Sequence, residues 1–342
     1  MKDVTDAWVA GLPKVELHVH VEGAILPETL MKLARRNSVA LPDSIEALRA
    51  WYQFTDFPHF AEIYQTFSKA IVSAEDIYDM AWDFLTEQAR QNILHTEATF
   101  TASTHYRNNG IPFCEQMDAI RAAAERARTT YGVSLGLIID IPREYETPAE
   151  AVQIARWVAE AHGDGLVAAL GLAGYEPGFP PEMFVNAFAL AKDAGVPAVI
   201  HAGETGPADY IVTSIEMLHA RRIGHGVAAL KDQRAMALIR ERGVTLEVCP
   251  SSNLCLKVAE TLEQHPFRRM DQAGLNVTIN SDDPPMFNTD LNGEYLKVAR
   301  TFGYDRSELK AFAARAAAAA LLPEARKADI VQAIATYPVD QS

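Results

Sequence analysis

The sequence predicts one (β/α)₈ TIM barrel, and three observations lead there. Eight short apolar, β-branched runs recur along the 342 residues, helix-like stretches separate them, and several runs end in the same few polar residue types. Runs as continuous in apolar residues as VSLGLIID, LVAALGLA and VPAVIH suit parallel strands buried on both faces. Strands alternating with helices make either a closed barrel or a doubly wound open sheet. The barrel is preferred because it brings polar strand ends that are distant in sequence to one mouth.

In chain order the runs are Val15–Val21, His95–Thr101, Val133–Ile141, Leu166–Ala173, Pro197–His201, Arg222–Gly226, Thr245–Cys249 and Asn276–Asn280. After the first comes a mostly helical excursion, Pro27–Asn92, much longer than one crossover helix requires. Its aromatic stretch Trp51–Phe67 predicts helices laid over one end of the barrel. Later runs alternate with helical segments Pro148–Ala161, Pro181–Ala194, Tyr210–His219, Asp232–Arg242 and Pro266–Ala273. The alanine-rich Leu309–Leu322 and then Glu324–Thr336 suit closing helices. The excursion reads as an insertion, so residues 1–342 are expected to form a single domain.

Composition narrows the function. An apolar share of 49% supplies a large core, and a net charge of −14 excludes the basic stripe of a nucleic-acid surface. Three cysteines without CxxC spacing suit a reducing compartment better than a disulfide framework. MKDVTDAWVAGLPK has no signal-peptide core, and no run reaches the ~18 apolar residues of a membrane span. The expectation is a soluble cytoplasmic protein with neither a membrane nor a nucleic-acid partner.

The chemistry sits at the strand ends. The first run carries His18 and His20, whose alternation points them to one side. The fifth ends in HAGE (His201, Glu204), the sixth in GHG (His225) and the eighth in NSDDP (Asp282, Asp283). Singly, each motif is ordinary: a strand-end histidine commonly packs or caps, and an acidic pair before proline commonly makes a turn. Capping roles would scatter, whereas these positions converge at the C-terminal mouth of a barrel. Imidazole nitrogen with carboxylate oxygen suits zinc ahead of iron or manganese. Three histidines and one aspartate on one Zn²⁺ per chain leave room for a water, whose pKa zinc lowers from about 15.7 toward ~7. Glu204, three residues past His201, is placed to shuttle a proton, and His225 to hold or polarise the nucleophile. His59, His95, His105, His162, His219 and His265 read as structural or solvent-facing.

Over essentially its whole length the chain resembles the adenosine deaminase family, within the wider amidohydrolase barrels. The resemblance is carried, in the family's order, by LPKVELHVHVEGA (Leu12–Ala24), GLAGYE (Gly171–Glu176), HAGE (His201–Glu204), RIGHG (Arg222–Gly226), CPSSN (Cys249–Asn253) and NSDDP (Asn280–Pro284). It implies that His18, His20, His201 and Asp282 bind zinc, with His20 also at the substrate. It further implies Glu204 as proton donor to the purine ring, His225 as partner of the attacking hydroxide, Asp283 on the imidazole-ring edge and the backbone of Gly174 on the pyrimidine side. Phe60 and Tyr64, an i,i+4 pair, correspond to the apolar lid over the substrate. The implied reaction is hydrolytic removal of a purine 6-amino group. Cytidine-type zinc deaminases perform the same addition on another fold.

Two positions depart from the adenosine deaminase pattern. Glu22 stands where those enzymes carry an aspartate toward the ribose, and Tyr175 replaces an acidic residue. GLAGYE nevertheless lacks the serine-rich segment of adenine deaminases, and PPMFNT differs from their usual continuation. The expected substrate is therefore adenosine or a related 6-aminopurine nucleoside, with Glu22 accepting a hydrogen bond from a ribose hydroxyl. Adenine, or a larger nucleoside such as aminodeoxyfutalosine, stands as the alternative. Lactonases and phosphotriesterases on this barrel use a carboxylated lysine, and no run here ends in lysine. A non-catalytic binder would have no need of Glu204.

Overall fold

The computed structural model describes residues 4–339. Eight strands run β1 (Lys14–Glu16), β2 (Ile93–Phe100), β3 (Ser134–Pro142), β4 (Val167–Ala173), β5 (Ala198–Ala202), β6 (Ala220–His225), β7 (Thr245–Val248) and β8 (Asn276–Ile279). They pair in sequence order, each parallel to the next. The ring closes just where chemistry was expected. Val19 bridges Asp282, the His20 N–H donates to the Asp282 carbonyl at 2.9 Å, and the Asp282 N–H donates to the His18 carbonyl at 3.1 Å.

The first run is the largest departure from expectation. Regular pairing stops at Glu16, and Val15–Val21 continues as isolated bridges, Val19 to Asp282 and His20 to Thr99. Its backbone must bond two neighbours, so the ladder loosens where the ring is sealed. Pro148–Ala161 forms as predicted, with proline in its first turn and a capping box of Thr147 and Glu150. Pro181–Ala194 splits into a 3₁₀ turn, Pro181–Phe184, and a helix, Val185–Asp193. The closing helices begin earlier than Leu309, with Leu291–Phe302, which Asp290 caps through the Gly293 N–H.

The excursion holds four helices: Pro27–Arg36, Ile45–Trp51, Phe57–Ser68 and Ala74–Arg90. Ala74–Arg90 acts as the ordinary crossover helix, with Trp82 stacked on Tyr131 of Phe113–Tyr131 at 5.7 Å. Phe57–Ser68 lies over the barrel mouth. Outside the strands the core is continuously apolar. Inside the ring the apolar filling shrinks to Ile138, Ala169 and Val199, with Leu321 against them. Glu97, Arg222 and Glu247 are buried on β2, β6 and β7. Among the described residues no helix is long and apolar enough to cross a membrane.

Candidate metal centre

His18, His20, His201 and Asp282 each bring one ligand atom within 4.8 Å of the others. Asp282 Oδ1 is 3.4 Å from His18 Nε2 and 3.3 Å from His20 Nε2, and the Nε2 atoms of His20 and His201 are 3.3 Å apart. His18 tests whether a metal fits. Its Nδ1 is committed to Glu247 Oε2 at 2.9 Å, which leaves Nε2 buried, without a hydrogen-bond partner, among the other three groups. A carboxylate behind an imidazole is the usual way to fix the ring that a metal needs. A second group, His18, His225, Cys249 and Asp282, overlaps the first. Burial, with the charges of Asp282 and Glu204, pushes the Cys249 thiol well up, and its Sγ–H already donates to the Glu247 carbonyl at 3.7 Å. His225 and Asp282 both hold left-handed backbone, φ 60° and 68°. Non-glycine residues keep such a conformation, at about 1–3 kcal/mol, only where their surroundings impose it.

Glu204 follows β5 on a loop tied down by another carboxylate. The N–H groups of Gly203, Glu204 and Thr205 all donate to Glu176, at 2.8, 2.7 and 3.0 Å. Arg143 donates to the His201 carbonyl at 2.5 Å and to the Ala173 carbonyl at 3.2 Å, bracing β5 against β4. Burial pushes the Glu204 carboxyl well above its ordinary range, and the charges of Asp282 and Glu176 add to the effect. A raised carboxyl favours its neutral, proton-bearing form.

Asn253 joins Glu204 to His225. Its amide donates to Glu204 Oε1 and to His225 Nδ1, both at 3.2 Å, while its carbonyl accepts from His265 Nε2 at 3.0 Å. Burial lowers the His225 imidazole to about 3, so the ring is neutral. With Nδ1 accepting from Asn253, its one proton sits on Nε2, 3.8 Å from Asp282 Oδ2. His225 thus offers an N–H donor to the centre.

Above the centre is a cavity of about 630 Å³, partly open to solvent. Phe57, Phe60 and Tyr64 roof it, and Phe60 also packs on Phe54 and Phe287, so the lid position is a packing position too. Asp283, Gly174, Asp140 and Glu144 contribute to its walls, and among the described residues no Lys or Arg lines it. Asp283 Oδ1 is buried without a partner, and burial together with the Asp282 charge raises this carboxyl to about 8. Gly23 makes room for it, since a Cβ there would fall 1.5 Å from Asp283 Oδ1. Burial likewise lifts Asp140 to about 7.

The predicted residues therefore gather, with one exception. Glu22 is buried but does not line the cavity; its Oε1 accepts from the Thr101 N–H at 2.9 Å and faces His105 Nε2 at 3.0 Å. Glu247, Arg143 and Asp140 lie outside the site as the sequence defines it, and His105 and His265 prove tied to it. Asn253 and Glu176 stand inside CPSSN and GLAGYE, so those motifs carried their signal. Asp140 carried one too, as a lone carboxylate in the apolar run VSLGLIID.

Residues 13–337 match the adenosine deaminase family model. The adenine deaminase of Bordetella avium is 39% identical over 92% of this chain and 98% of its own. The aminodeoxyfutalosine deaminase of Streptomyces avermitilis is 39% identical over 97% of this chain and 92% of its own. Among solved structures, the adenine deaminase of Arthrobacter aurescens superposes with a TM-score of 0.91 at 30% identity, covering 96% of this chain and 99% of that one. An amidohydrolase of Burkholderia ambifaria with bound zinc superposes at 0.90 and 27% identity, covering 97% and 93%.

Proposed function

This chain belongs to the adenosine deaminase family, a family of hydrolytic deaminases, and from that premise we propose that it is a zinc-dependent enzyme whose substrate is adenine. Three imidazoles and a carboxylate, with the orphaned His18 Nε2 among them, support one zinc per chain. Zinc bound there supplies an acidified water as the nucleophile.

The side chains do the rest. With the purine seated so that C6 faces the centre, the Nε2–H of His225 orients the attacking oxygen. As that oxygen bonds to C6, Glu204 gives its proton to N1, and the ring loses its aromaticity. Glu204 takes up the proton that the water releases and delivers it to the 6-amino group. The C6–N bond breaks as the C6 hydroxyl returns its remaining proton to Glu204, and ammonia and the 6-oxopurine leave. Asp283 faces the N7 edge, and the Gly174 backbone the N3 edge. The phenyl rings overhead exclude water, which strengthens each of these hydrogen bonds.

The choice of adenine replaces adenosine, the substrate the sequence favours. Two 39%-identical relatives are an adenine deaminase and an aminodeoxyfutalosine deaminase. The observation that carries adenine is Glu22. The carboxylate expected to meet a ribose does not line the cavity, and its Oε1 is held by Thr101 and His105. A cavity wall without Lys or Arg also disfavours a nucleotide phosphate. A larger 6-aminopurine nucleoside is the second reading, favoured by the Streptomyces relative and by a cavity partly open to solvent. Ammonia release from adenine, adenosine and aminodeoxyfutalosine by the zinc-loaded protein tests the choice. Adenine should lead in kcat/KM by about tenfold or more, ~1.4 kcal/mol of transition-state preference; a lead for either nucleoside overturns it.

A further inference from the structure

Asp140 lies near the end of β3, buried, lining the cavity, with Oδ1 lacking any hydrogen-bond partner. The fold makes room for it. Gly171 pairs with Asp140 across β3 and β4, and a Cβ on Gly171 would stand 3.0 Å from the Asp140 Cβ. Buried polar atoms are almost always satisfied, and a carboxylate held open toward a cavity is built for a donor that arrives with the ligand.

The order of the strands around the mouth identifies that donor, given the purine orientation proposed above, on which this inference rests. Glu204 follows β5 and meets N1; Gly174 follows β4 and meets N3. One strand further round is β3, with Asp140, and the next ring nitrogen beyond N3 is N9. Asp283, after β8, takes N7 on the far side. Two other carboxylates share the arc: Glu22 does not line the cavity, and its Oε1 is taken by Thr101 and His105, while Glu144 holds the Tyr175 N–H at 3.1 Å. In a free purine base N9 carries a hydrogen; in a nucleoside it carries a sugar carbon. We propose that Asp140 accepts the N9–H of a free purine base and so selects the base over its nucleosides. A 9-substituted purine brings carbon to the carboxylate instead, and leaves it buried and unpaired.

The test uses zinc-loaded wild type, Asp140→Ala and the near-isosteric Asp140→Asn, with adenine, 9-methyladenine and adenosine as probes. A site built around a substrate N–H rejects the analogue lacking it by up to ~10⁴–10⁵. Wild type should favour adenine over 9-methyladenine by at least about 10³, short of that ceiling. Asp140→Ala should cut kcat/KM for adenine about 10²-fold, mainly through KM, and leave 9-methyladenine unchanged, so the ratio collapses. Asp140→Asn, which keeps an acceptor oxygen without the charge, should fall between. An unchanged ratio in either folded, zinc-loaded variant overturns the role of Asp140 while adenine stands as substrate. A wild type that deaminates adenosine and not adenine overturns the substrate reading, and the N9 contact with it.

Discussion

The mouth of the barrel and the interior directly beneath it are both buried and charged, yet they treat charge in opposite ways. At the mouth, His18 Nε2, Asp140 Oδ1 and Asp283 Oδ1 have no hydrogen-bond partner among the described residues. Beneath, the carboxylates face a cation, although Arg222 Nη2 itself lacks a hydrogen-bond partner among the described residues. His18 Nδ1 meets Glu247, the guanidinium of Arg222 lies between Glu247 and Glu97, and Glu97 Oε1 is 3.3 Å from His95 Nε2. Burial alone would raise the Glu97 carboxyl, but the Arg222 charge, with help from His95, holds it down at about 2. Most barrels fill this space with branched apolar side chains. A buried charge that is paired acts as structure, and one left open marks the place for a ligand. The two regions meet at His18, whose one nitrogen belongs to the column and whose other belongs to the centre.

That division is sharpest if a mouth variant loses rate and a column variant loses stability. Glu204→Gln should retain its metal and its unfolding midpoint while turnover falls by ~10²–10⁴, because the amide has no proton to give. Single-turnover rates and metal analysis on the same sample check this; unchanged turnover removes Glu204 from the chemistry. Arg222→Ala should instead cost about 3–5 kcal/mol of stability in urea denaturation, since it strands Glu97 and Glu247 without their cation. A loss below ~1 kcal/mol would mean that the column is not a structural unit.

The same division explains what the sequence could reveal. His18, His20, His201, His225 and Asp282 were legible because each sits at a strand end, and barrel topology alone brings strand ends together. All eight strands were legible for the same kind of reason, as apolar runs whose period needs no partner to be seen. The column was not. Glu97, Arg222 and Glu247 lie inside strands, where a lone charge reads as ordinary alternation, and their pairing depends on the registers of β2, β6 and β7. Glu22 failed differently. It was expected on the same strand edge as His20, but residues 21–24 form a turn, and His105, from the helix Ala102–Asn109, takes up its Oε1; no local pattern announces that contact.

Glu247→Gln tests the shared residue, His18, from below. The amide is a weaker acceptor for the His18 Nδ1–H, so the imidazole should bind metal less firmly, by about 10–100-fold in a chelator competition. Turnover at saturating zinc should largely recover, since no reacting atom is touched. Metal affinity equal to wild type would show that the His18 ring is fixed by other contacts.

The smallest expected effect belongs to Asn253, which positions two groups without touching the substrate. Asn253→Ala removes its hydrogen bonds to Glu204 and to His225, at about 0.5–1.5 kcal/mol each. It also lets the His225 proton choose either ring nitrogen. kcat should fall about tenfold with KM nearly unchanged, because the loss is felt in the transition state. Asn253→Asp discriminates this from simple packing damage. An aspartate is as large as asparagine, but it accepts where the amide donates, drawing the His225 proton onto Nδ1 and leaving Nε2 bare toward the centre. It also sets a second carboxylate against Glu204. If Asn253 works by fixing the tautomer, aspartate must be worse than alanine; if it only fills space, alanine must be worse.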